Sequence, residues 1–254
     1  MQKNSTDDAN EEACPSAIEV TRAVLVTFGG PALVSAAALG SILACGYAIG
    51  RLRRPRRSAL FGVCSLVAYE ALAAPWMRSW GSTPAERARP LPADELVPGP
   101  AIEVNHGVTV AASAEEVWPW LAQIGQDRGG FYSYERLENL AGCQMRNADR
   151  IHPEWQDREV GEGVMLHPAA PAVPVTVFEP GHAIGLEGWG VFAVEPAGER
   201  FCRLIARGRI PRGGTSVFYR TLLELPHFIM QREMLLGIKR RAEAAAFGPG
   251  TAAG

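Results

Sequence analysis

The sequence predicts an α+β protein in two parts: a two-helix transmembrane hairpin, then a curved antiparallel sheet around a long C-terminal helix. Three observations predict it. From Ala23 to Gly50 no residue is charged, and a second apolar run, Ser58 to Met77, is broken only by Glu70. Between residues 163 and 210, short strand-like runs are separated by Pro and Gly turns. From Pro226 to Ala245 the chain is helix-compatible throughout.

The hairpin follows from length and charge. At 1.5 Å per residue each apolar run can cross a hydrocarbon core of about 30 Å. The loop between them, "RLRRPRR" at 51–57, carries five arginines. The positive-inside rule places that loop in the cytoplasm of a bacterial plasma membrane and the rest of the chain outside. The alternative is a pair of buried helices in a soluble protein. Residues 1–22 are acidic rather than basic, which argues against a cleaved signal peptide. Glu70 lies in the second expected span, where a charge is costly and needs a partner.

Beyond Met77, the segment 78–100 is rich in proline without apolar periodicity and reads as a tether. The folded domain is expected over 101–247, about 145 residues and enough for one core. The tail 248–254 has a disordered composition. Ile102, Val104, Val108 and Val110 alternate as in a strand. Ser113 and Glu116 have the spacing of a capping box for a short helix, which Gly125 stops. Ser133 offers a cap for a second helix with Tyr134, Leu137, Leu140 and Ala141 on one face. After a polar loop over 143–161 come the strands "GVMLHP", "VPVTVFEPG", "HAIGLEG", "WGVFAVEPAG" and "RFCRLIARGRI". The run "TSVFYRTLLE" is helical, and Pro226 suits the first position of a new helix. Phe228, Met230, Met234, Leu235 and Ile238 give that helix a broad apolar face. A sheet wrapped around such a helix buries the face and tends to leave a cavity between the two.

Composition excludes several function classes. The formal net charge is −2, from 25 Lys and Arg against 27 Asp and Glu, and no aromatic-and-basic stripe points to nucleic acid. No phosphate loop, nucleophile elbow or dinucleotide fingerprint occurs, so no cofactor is expected. His106, His152, His167, His182 and His227 lack the spacing of metal ligands, so no metal is expected either. Five cysteines form no framework. Cys143 and Cys202 are expected as two buried free thiols, with a disulfide between them as the alternative.

The strings "WGSTPAERARPLPADELVPGP", "GGFYSYERLENL", "ADRIHPEWQ" and "MLLGIKRRAE" carry a resemblance. The domain resembles the START-like SRPBCC superfamily, which includes polyketide cyclase/dehydrase and lipid-transport proteins. In particular it is similar to a membrane-tethered bacterial branch without assigned chemistry. The resemblance implies a helix-grip fold, with a hydrophobic ligand held between the sheet and the last helix. It carries no catalytic residues over.

Three functions are compatible with this reading. The first is a membrane-anchored domain that binds a lipid or other hydrophobic small molecule without catalysis. The second is a cyclase or dehydratase using Tyr132, Glu138 or His152 as acid or base. The third is a membrane interaction module with a filled core. The expected ligand-facing residues are Tyr132, Tyr134, Glu138 and Asn139 of "GGFYSYERLENL", and His152 and Trp155 of the polar loop. Met230 and Met234 of the last helix join them as an adaptable apolar wall. The aromatics of "GGFYSYERLENL" read equally well as a cap on the core. His227 and Arg232 would meet an acidic or carbonyl-bearing ligand if they faced inward.

Overall fold

The computed structural model describes Cys64 and residues 67–247. The first expected span, much of the first half of the second and both tails lie outside the described residues. Among the described residues no helix is long and apolar enough to cross a membrane.

Six strands form one antiparallel sheet: β1 (Ile102–Val110), β2 (Gly163–Val164), β3 (Val173–Glu179), β4 (Ala183–Leu186), β5 (Gly190–Pro196) and β6 (Cys202–Ile210). Their order is β1-β6-β5-β4-β3-β2, a meander whose last strand pairs with the first. The β1–β6 register runs unbroken from Ile102↔Ile210 to Val110↔Cys202. Helices α3 (Ala114–Ala122) and α4 (Glu135–Leu140) follow β1, and α6 (Glu224–Phe247) closes the sheet. This is the helix-grip plan. The expected capping box is present: the Ser113 side chain accepts from the Glu116 amide, and the Glu116 carboxylate accepts from the Ser113 amide. Cys143 and Cys202 are buried free thiols.

The ends of the long helix differ from expectation. Pro226 starts no new helix. The short α5 (Gly214–Phe218) runs through a π-turn, Tyr219–Leu223, straight into α6. A proline cannot donate to the carbonyl four residues back, and a wider turn just ahead of it absorbs the mismatch. The same device recurs at the start of the described chain, where a π-turn, Tyr69–Ala73, precedes Pro75 in α1 (Ala74–Arg78). The two bent helices lie against each other. Tyr69 donates to Glu224 at 2.9 Å, Arg78 Nε donates to Glu224 at 2.5 Å, and Arg220 pairs with Glu70 at 2.7 Å. Glu70 is therefore an ion-pair partner of the folded domain.

The segment expected as a tether is instead a strap across the outer face of the sheet. It contains α2 (Pro84–Ala88), with a Thr83–Glu86 capping box. Buried Arg207 donates to the carbonyls of Glu86 and Arg89 and to Asp94. Arg203 holds Glu86 at 2.6 Å. Leu91 is buried among Ala183, Val191, Ala193 and Ile205, a burial that stabilises by about 1.5–3 kcal/mol. Gly81, at φ +68°, lets the strap touch β1, since a Cβ there would stand 2.0 Å from the Gly107 carbonyl oxygen.

The inner face of the sheet packs on α3 and α6 in one continuous apolar cluster. It includes Val110, Trp120, Phe192, Leu204, Leu235 and Ile238. At that end the cavity expected between sheet and helix is filled by the chain's own side chains.

Candidate functional site

Most of the expected ligand-facing residues have structural partners. Tyr132 is buried at 1% exposure, with φ +57°, a conformation costly for a bulky residue. Asn147 holds that turn by accepting from the Tyr132 amide at 2.6 Å and donating to the Ser133 carbonyl. The Tyr132 hydroxyl accepts from Gln123 at 2.9 Å, and the Arg241 guanidinium covers its ring at 4.9 Å. Gly237 makes room on α6, where a Cβ would lie 2.1 Å from the Tyr132 carbonyl oxygen. The run "GGFYSY" is thus chiefly core. Phe131 is buried against Trp189, and only Tyr134 is open to solvent.

The expected inward face of α4 is also corrected. Leu137 and Leu140 are exposed. The expected Ser133 cap does not form either: the cap position is Tyr134, with no side-chain cap hydrogen bond, and Ser133 pairs instead with Glu138, which turns inward. Ser133 donates to the Glu138 carboxylate, and burial raises the Glu138 pKa. Asn139 clasps the backbone of Met145 through both amide atoms. His152 stacks on Trp155 at 3.9 Å between centroids and contacts Glu154. Met234 is core, whereas Met230 is only partly buried. Gln123 links Tyr132 to the backbone of His152, while Glu138 is held by Ser133, so the three side chains form no acid–base set. A groove of about 530 Å³ runs past Tyr134, Arg136, Glu233 and Arg240, with both signs of charge on its walls.

The polar groups that do converge lie at the other end of the seam between β1 and α6. His106 shares the inward register of Ile102, Val104, Val108 and Val110 and is 1% exposed. Its Nε2 lies 2.8 Å from the Met77 carbonyl oxygen and donates to it. In a neutral ring Nδ1 is then a bare acceptor, and it has no partner among the described residues. Gln231, 5% exposed, comes within hydrogen-bonding reach of His106 from α6, but with its Oε1 toward the ring neither that oxygen nor Nδ1 gains a well-aligned hydrogen bond. His227, one turn earlier, lies 6.3 Å from the His106 ring, and its Nδ1 is 2.8 Å from the Tyr219 hydroxyl. Glu224 follows, nearly buried at 2% exposure, held by Arg78 and Tyr69. Phe228 wedges edge-on between His106, Trp80 and Trp76. Arg232 lies over Trp80 at 5.0 Å rather than pointing inward.

Burial pushes His106 down to about 4. Burial, with His106 nearby, pushes His227 down to about 3. Both imidazoles are therefore neutral at pH 7, and the site offers acceptors more than charge. Two facing acceptors without a donor are each short of a hydrogen bond, which costs about 1–3 kcal/mol per buried group. A donor placed between them would recover it. No group of three His, Cys, Asp or Glu residues among those described could hold a metal.

No family model and no curated protein matches the sequence. Among solved structures, the chain is similar to a Polyketide_cyc-like protein from Corynebacterium glutamicum. The TM-score is 0.33 and the identity 17%, over 59% of this chain and 97% of that one. It is also similar to a conserved protein of unknown function from Enterococcus faecalis, with TM-score 0.35 and 14% identity, over 61% of this chain and 77% of that one. Both likenesses are slight.

Proposed function

We propose that this chain is a membrane-anchored helix-grip protein that binds a hydrophobic small molecule or lipid at the polar end of the sheet–helix seam. The bound molecule presents a hydroxyl or N–H donor to His106 and Gln231. The observation that carries the reading is the buried His106–Gln231 pair, within reach of each other yet with Nδ1 and Oε1 meeting as two acceptors without a well-aligned hydrogen bond. Folding leaves such groups bare only at a cost, and they commonly mark a place completed by something else. Aromatic Trp80 and Phe228 beside them would take the apolar body of the ligand. Binding without turnover fits the chemistry, because the carboxylate beside the two imidazoles is committed to an ion pair. Glu224 is already engaged by Arg78 and Tyr69.

The test is native mass spectrometry of the full chain released from detergent micelles, with extraction of whatever travels with it. A stoichiometric apolar adduct bearing a donor group is expected, lost in His106→Phe but kept in His152→Asn. A bare mass after incubation with lipid extract would overturn the reading. It would favour an interaction module whose core is filled throughout, as its apolar end already is.

A further inference from the structure

The exposed large apolar side chains are unevenly spread. Six of them gather where the chain emerges from its apolar N-terminal part: Val67, Leu72, Trp76, Val217, Leu225 and Ile229, exposed by 36–72%. They belong to two helical segments packed on each other through Glu70–Arg220, Tyr69–Glu224 and Trp76–Phe228. Val217, Leu225 and Ile229, with Thr221 between them, recur at multiples of four residues along α5, the π-turn and α6. That spacing makes a stripe on one helical face. The stripe and the row from Val67 to Trp76 surround Arg220, which neutralises Glu70 at 2.7 Å.

We propose that this face is seated in the interfacial layer of the bilayer, its occupant being phospholipid rather than a protein. The proposal rests on the reading of Ala23–Gly50 as membrane-spanning. Apolar sequence runs without a break from Ser58 into Val67. That run is ten residues, about 15 Å of helix, too short to cross but able to lie in the headgroup layer, and Leu72 follows it within about 8 Å along the helix. Trp76 stands one turn further out, where amphipathic rings concentrate. An unpaired Glu70 would be repelled from that layer, and its pairing with Arg220 removes the obstacle. Docking in this way brings the His106–Gln231 site, walled by the Met77 carbonyl, next to the membrane surface. A hydrophobic ligand could then pass between lipid and site without crossing water.

The test places a photoreactive benzoylphenylalanine at single positions in the full chain, reconstituted in phosphatidylcholine–phosphatidylglycerol vesicles, and reads the adducts by mass. Lipid adducts are expected at Leu225 and Ile229, as at Leu43 in the first span, with none at the exposed Leu140 of α4. Adducts at Leu43 alone would overturn docking while leaving the anchor in place. No lipid adduct at any position would overturn the anchor and the docking together. Cross-linked dimers at Leu225 or Ile229 would assign the face to a second copy and overturn the proposal.

Discussion

The two ends of the seam between β1 and α6 are built from the same elements and obey opposite rules. At the C-terminal end of α6, Met234, Leu235, Ile238 and Ala242 meet Val110 and Leu204 in an apolar cluster with little exposure. At the N-terminal end, the same helix turns Glu224, His227 and Gln231 inward, against His106. Burial of carbon stabilises the first end with no partner to find, by about 25 cal/mol per Å². Each polar group of the second end loses water on folding and must be given a hydrogen bond in exchange. Glu224 and the Met77 carbonyl receive one, whereas His106 Nδ1 and Gln231 Oε1 do not. Stability is thus made at one end and given up at the other. A core that obeys the patterning rules everywhere but in one place points to that place as functional.

The sharpest break in this contrast is Arg78→Met. It leaves the Glu224 carboxylate buried without its cation, and breaking a buried pair in this way costs about 3–5 kcal/mol. We expect the thermal unfolding midpoint of the full chain in detergent to fall accordingly, with loss of the α1 contact to α6. At the apolar end Leu235→Ala should cost about 2–5 kcal/mol through the cavity it opens. The two losses should differ in kind. Leu235→Ala should leave ligand adducts in native mass spectra unchanged, while Arg78→Met should reduce them. Equal loss of adduct in both would mean that the ends of the seam are not separate.

How far the sequence foretold this depends on how local the chemistry is. The Ser113–Glu116 box joins residues three apart, and it was legible as spelled. The strands after residue 163 announced themselves by alternation and by Pro and Gly turns. The strap did not, because proline-rich composition reads as linker, whereas its anchors Arg203 and Arg207 lie more than a hundred residues downstream. Helix α4 carries a misleading pattern, since Leu137 and Leu140 imitate a core face over too few turns to settle the phase. The apolar spacing puts Met230 on the inner face for a similar reason, though Gln231 beside it is the buried residue. The site itself left a usable trace. His106 breaks an apolar run at an inward strand position, and Glu224, His227 and Gln231 share one helix face. What no sequence pattern conveys is that the Met77 carbonyl accepts the His106 Nε2–H hydrogen bond and so leaves Nδ1 as the ring's acceptor.

The pH dependence of stability separates the ends again. The imidazole of His106, ordinarily titrating near 6.5, is held near 4 in the folded protein, and that of His227 near 3. Between those values the unfolded chain binds protons that the folded chain refuses, so stability falls as pH drops through 6.5 and levels off below the folded values. For His106 alone the loss amounts to about 3 kcal/mol. Thermal melts of the wild type between pH 7 and 4 should show the decline, and His106→Phe should remove a large part of it. Leu235→Ala should shift the whole curve downward without changing its slope over that range. A wild-type curve flat between pH 6.5 and 4 would mean that the imidazoles are hydrated in the folded state.

The smallest effect is the most diagnostic, because its two readouts move in opposite directions. Gln231→Met keeps the side chain's length and removes its amide. If Oε1 has no donor in the unliganded protein, the change takes away an unsatisfied buried acceptor and should raise stability by up to about 1 kcal/mol. The same change removes half of the acceptor pair that a ligand donor would bridge. Adduct retention should then drop by about tenfold, the equivalent of one hydrogen bond at about 1.4 kcal/mol. Stability up and binding down is a signature that neither a packing role nor a misfolded variant produces. If the amide instead turns to donate from its nitrogen to His106 Nδ1, the pair is already satisfied, and Gln231→Met should lower stability by about 1–3 kcal/mol. The N-terminal end of the seam would then be as closed as the apolar end, and the difference between them one of chemistry without function.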